Sequence, residues 1–145
     1  MPGEHPYFRR LTDFEAPGRK YAKGASAVYT KGGLVSLLIG TGTIRMSQAG
    51  DIVLGICRDP VGTTDSNYAD TTPIEVEHLT QGDEVICPVS AGTIALTQVG
   101  DEADVVNGGL SLTLTESNLD FRIFGQIGSS LTELLATPIA ARCVF

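Results

Sequence analysis

Two histidines, His5 and His78, and three cysteines, Cys57, Cys87 and Cys143, are the residue types in this chain that most readily do nucleophilic or proton-transfer chemistry. A nucleophile needs a base beside it and an acid that orients the base. His78 ends the segment Pro73-Ile-Glu-Val-Glu-His78, where period-two alternation puts it on the face of Ile74 and Val76. That setting suits a satisfied, partly buried histidine better than a general base. Glu75 and Glu77 share the opposite face, and paired carboxylates do acid–base work only when their environments separate their pKa values. The same spacing on a strand equally makes a solvated face. With no Gly-x-Ser-x-Gly elbow present, a small β-barrel enzyme using His78 and a carboxylate stands behind a non-catalytic reading.

Ligand chemistry is equally sparse. The cysteines are odd in number, far apart and set in apolar runs, which suits reduced core thiols; an intermolecular disulfide through Cys143 is the alternative. No Cys/His spacing matches a zinc site, and the acids of Asp101-Glu-Ala-Asp104 lack the spacing of a calcium loop, so no metal is expected. Gly40-Thr-Gly-Thr43 and Gly125-Gln-Ile-Gly128 lack the Lys-Ser/Thr and the βαβ context of a phosphate cradle, so no cofactor is expected either.

Charge divides the chain. Residues 1 to 31 hold six basic side chains against three acids, a net of about +3; residues 32 to 145 hold four against fourteen, about −10, which together give the formal −7. An acidic body repels phosphate, so nucleic acid is not an expected partner. No apolar run approaches the roughly 20 residues of a membrane helix, and the polar, proline-rich start lacks an apolar signal region, so synthesis in the cytoplasm is expected.

The elements that must position these residues read as strands. Residues 1–24 have prolines, glycines and four aromatics but no periodicity, and are expected to be an extended arm before a single all-β domain of residues 25–145. Candidate strands are 25–30, 34–39, 43–46, 52–57, 73–78, 84–89, 93–96, 110–115, 120–127 and 140–144, which predicts a small β-barrel or a β-tulip or sandwich-like body. Ser130-Leu-Thr-Glu133 fits a capping box, so one short C-terminal helix is expected before Pro138. Arg58 to Thr72 is the longest loop.

A phrase repeats within this body. Gly42-Thr-Ile-Arg-Met-Ser-Gln-Ala-Gly-Asp51 and Gly92-Thr-Ile-Ala-Leu-Thr-Gln-Val-Gly-Asp101 share six of ten residues, and Thr80-Gln-Gly-Asp83 is a partial third copy. Each reads as a strand, a tight turn at glycine and another strand, which makes Gly50 and Gly100 the turns of two similar hairpins.

An acidic all-β body with a basic arm and phrases such as Gln48-Ala-Gly-Asp-Ile-Val-Leu-Gly-Ile56 resembles the capsid decoration (cement) proteins of tailed bacteriophages and related viruses. The resemblance implies a structural virion protein on the capsid exterior, a homotrimer, with major capsid protein subunits as its partner. It also implies that the arm does the binding, through Tyr7, Phe8, Arg9, Arg10, Phe14, Arg19 and Lys20. The residues alone also admit a phage tail or baseplate accessory, or a carbohydrate-binding β-module contacting its target through the Arg58 to Thr72 loop.

Overall fold

The computed structural model describes residues 7–10, 18–80, 82–90, 100–114, 121–126 and 133–138. Its strands are β1 (Arg9–Arg10), β2 (Gly18–Ala22), β3 (Leu34–Leu38), β4 (Thr43–Met46), β5 (Val53–Cys57), β6 (Pro73–His78), β7 (Val85–Pro88), β8 (Glu102–Val106), β9 (Ser111–Thr113), β10 (Phe121–Gln126) and β11 (Glu133–Pro138). The protein is all-β: two antiparallel sheets, ordered β1-β7-β11-β10-β8-β9 and β2-β6-β5-β3-β4, curl into a half-barrel.

Curling brings the sides of each sheet together. A parallel bridge from Val89 to Leu112 ties the β7 side to β9, and one from Lys23 to Ile44 ties the end of β2 to β4. Strand edges that would otherwise offer unpaired N–H and C=O groups are shortened by these closures.

Two cores result. Phe8, Leu34, Val53, Ile56, Leu79, Val85, Cys87, Val105, Leu112, Phe121 and Ile123 fill one, while Tyr29, Val35, Ile44, Leu54, Cys57, Val61, Ile74 and Val76 fill the other. β5 belongs to both, and all five of its residues are buried. Its pairing with β3 steps from Val35↔Gly55 to Ser36↔Val53, a bulge that shifts the alternation. Val53 and Ile56 thereby face the first core, and Leu54 and Cys57 the second. Gly55 is required here, because a Cβ would sit 2.0 Å from the carbonyl oxygen of Glu77 on β6.

The structure departs from the expected elements in several places, β1 in the expected arm among them. Residues 25–30 are not a strand: Ser26 has φ 56°, and only Tyr29 bridges, to Val61. Glu133–Pro138 is a strand between β7 and β10, where a helix was expected to reach Glu133 and beyond; two ladders of backbone hydrogen bonds outweigh a capping signal. β2 and β8 were not anticipated because Arg19, Lys20, Glu102 and Asp104 hide their alternation. The expected strands 93–96 and 140–144 lie outside the described residues.

The Gly-Asp phrases are turns, and those at Gly50 and Gly82 are not hairpins; the flank before Gly100 lies outside the described residues. Gly50, Gly82 and Gly100 have φ of 87°, 95° and 92°. Asp51 N–H donates to the Gln48 carbonyl at 3.0 Å, while Gln48 N–H donates to the Asp51 carboxylate at 3.0 Å. Asp83 N–H and Thr80 N–H make the same reciprocal pair at 3.1 and 2.8 Å. β4 and β5 lie on opposite sides of β3, so the first turn carries the chain across β3 and pairs neither flank with the other. Each Gly-Asp leads into a strand with a buried centre: β5, β7 and β8. Because positive φ costs a β-branched residue roughly 1–3 kcal/mol, Gly50→Val, Gly82→Val and Gly100→Val should each lower stability by more than about 1 kcal/mol in denaturant titration, with Asn substitutions milder. Unchanged midpoints would refute the assignment.

Candidate functional site

Residues expected to form one binding arm are dispersed by the fold. Phe8 is fully buried, its ring centroid 5.8 Å from that of Phe121, and its N–H donates to the Gly32 carbonyl at 2.8 Å. Tyr7 packs half-buried against the same core. Arg9 and Arg10 form β1 on the edge of β7, and Arg9 Nη1 reaches Glu133 on β11 at 3.0 Å. Among the described residues, then, the stretch before Ala25 is part of the body at 7–10 and again at Gly18–Ala22, which pairs with β6. The reason is physical: an apolar ring such as Phe8 gains roughly 1.5–3 kcal/mol by burial. Phe14 lies outside the described residues.

Arg19 and Lys20 remain on the surface. Both are exposed on β2, the outer strand of its sheet, where Arg19 stands opposite Val76 and Lys20 opposite Glu75. Both therefore remain open to a partner as exposed members of the expected basic surface.

Behind β2 lies a charged cluster that sequence spacing did not reveal. Arg58 Nη1 meets Glu75 Oε2 and its Nη2 meets Glu77 Oε1, each at 3.0 Å, with the Glu77 side chain only 5% exposed. The paired carboxylates of β6 thus share one guanidinium, and the fork geometry of arginine suits that task. Glu75 N–H further donates to Asp59 at 2.9 Å, and the Glu75 side chain lies over Gly18, where a Cβ would approach to 2.4 Å. These contacts fasten β2, β6 and the start of the long loop. Arg58 lies 17 positions from Glu75, a separation without local periodicity.

His78 has Tyr21 as a neighbour: its Nε2 is 2.6 Å from the tyrosine hydroxyl, with ring centroids 5.6 Å apart. Burial, reinforced by nearby Arg19, holds its pKa below the ordinary histidine value of 6.5. Cys57 and Cys87 are buried free thiols; burial pushes Cys57 up to about 12 and Cys87 well above the usual range. Neither is poised as a thiolate nucleophile at neutral pH. Cys143 lies outside the described residues. Among the described residues no group of three His, Cys, Asp or Glu side chains is arranged to hold a metal ion, and no helix is long and apolar enough to cross a membrane.

Comparison with protein-family models finds no match to the chain, and comparison with curated proteins finds none either.

Two outcomes follow from this geometry. His78 titrates lower in the folded state than in the unfolded chain, so the unfolded state takes up its proton first as pH falls. Stability from neutral His78 is complete above pH 6.5 and declines as pH drops from there toward the folded pKa. Denaturant midpoints measured across that window should therefore fall more steeply for the unaltered protein than for His78→Gln; parallel slopes would contradict the assignment. Phe8→Ala should cost about 3–5 kcal/mol of stability, as removal of a core aromatic does, where a surface anchor would cost almost nothing.

Proposed function

We propose that this chain is a structural virion protein that decorates a viral capsid by binding the outer surface of major capsid protein subunits, acting as a homo-oligomer, with a trimer favoured. One observation carries the reading: Arg19 and Lys20 stand exposed on an outer strand of a body whose residues 32–145 carry a net charge of about −10. Opposed charge on a rigid strand suits docking on an acidic protein surface, because a β-strand presents its side chains at fixed spacing and loses little freedom on binding. The resemblance in turn phrases and composition to cement proteins supplies the choice of a capsid as that surface.

Contact is assigned to the body, with the strand of Arg19 and Lys20 at its centre, in place of the free arm expected from the sequence. Tyr7, Phe8 and Arg9 belong instead to the first core and the β1–β7 edge, away from the proposed contact. An enzyme based on His78 draws no support from its neighbour Tyr21, and carbohydrate binding draws none from composition, since the chain has no tryptophan. No cofactor and no nucleic acid enter the proposal.

Co-sedimentation and rate measurements on capsid shells test it. Arg19→Glu with Lys20→Glu should slow association by roughly tenfold or more at low ionic strength and by much less at high salt, while denaturant midpoints stay within about 0.5 kcal/mol of the parent. Unchanged shell binding at low salt by the doubly substituted, folded protein would exclude this surface.

A further inference from the structure

The Lys23 side chain is fully buried. Its Nζ donates to the Tyr68 carbonyl at 3.1 Å, to the Gly24 carbonyl at 3.4 Å and to the Asp70 carbonyl, with the Asp70 carboxylate at 3.8 Å. An ammonium has three donors, and three carbonyls receive them. Taking an ammonium out of water costs several kcal/mol unless such partners replace its hydration, so this placement is stable only while all the partners stay in position.

Two of the three carbonyls belong to the Arg58 to Thr72 loop. Beyond the Arg58 and Asp59 contacts with β6, that loop is fixed at two further points. Near its start Tyr29 and Val61 exchange N–H to carbonyl bonds at 2.9 Å each; near its end Ser26 N–H donates to the Tyr68 carbonyl at 2.8 Å, beside the Lys23 ammonium. Tyr29 is itself held, its hydroxyl accepting from Gly24 N–H at 2.9 Å and donating to the Ile44 carbonyl. Between the anchors, residues 63–66 are exposed, and Asp65 closes a local turn by accepting from Gly62 N–H at 2.6 Å. Of these contacts, the Tyr29 hydroxyl bond to Ile44 and the Lys23–Ile44 bridge reach a strand, both at β4.

We propose that Lys23 is an internal catch that holds residues 62–72 as one preformed surface, and that loss of its ammonium releases this segment as a unit while both sheets persist. The inference does not depend on a capsid as partner. A loop ordered in advance gives up less entropy when another molecule docks on it, and a catch of this kind makes that order conditional on one side chain.

Hydrogen exchange on the full chain tests it. Lys23→Met keeps the apolar volume and removes the charge. The Ser26, Tyr68 and Asp70 amides should then exchange roughly tenfold faster or more, with β5 and β7 amides unchanged. An increase spread evenly over both sheets, or no increase in the loop, would overturn the proposal. Lys23→Ala supplied with ethylammonium separates charge from packing: recovery of loop protection is expected, and failure to recover would show that the ammonium is not the catch. In the unaltered protein at sub-denaturing guanidinium, Ser26 and Tyr68 should open together before β5. Opening only in step with β5 would refute a separable loop whether or not either variant folds.

Discussion

The structure depends on one constraint, that β5 is buried on both faces and must serve two cores. A strand in that position needs apolar side chains at every site that has one, and Val53-Leu-Gly-Ile-Cys57 provides them. The bulge against β3 lets a single strand send Val53 and Ile56 one way and Leu54 and Cys57 the other. Gly55 then allows β6 to come close, which places Glu77 beside Ile56 and within reach of Arg58. The first core draws residues from both sheets, so separating them would expose it, while the second is built from one sheet and its loops.

Polar groups where the chain crosses β3 are paired locally. Ser36 and Ser47, both buried, meet through their hydroxyls at 2.6 Å where the chain leaves β4 to cross β3. Arg45 grips Asp51 through two bonds, of 3.1 and 2.7 Å, and so braces the crossing turn. The repeated phrase has Ala95 in place of Arg45, and there Arg122 from β10 donates to the Gly100 carbonyl at 2.9 Å instead. A buried donor or acceptor left without a partner would cost about 1–3 kcal/mol.

The proposed binding surface follows from the same frame. β2 is attached to the body through β6, and β6 is positioned by β5. Arg19 and Lys20 are therefore presented by a strand whose place is set by the two-sided strand behind it. The Arg58 cluster and the Lys23 catch sit at opposite ends of the loop that leads into β6, so the surface near β2 is held by charge interactions that exposed side chains alone would not supply.

The sequence by itself determined the strand class, the tight turns at Gly50, Gly82 and Gly100, and the segments 43–46 and 73–78, which match β4 and β6 residue for residue. These are local properties: alternation has a period of two, and only glycine takes positive φ without strain. Tertiary structure alone decided which strands are neighbours, that Glu133–Pro138 joins a sheet, that Phe8 is core, and that Lys23 is buried. Each of these depends on partners far along the chain, as when Arg9 meets Glu133 or Lys23 meets Asp70. No window of local sequence carries that information, because the free energy that places such a residue belongs to the contact and not to the residue.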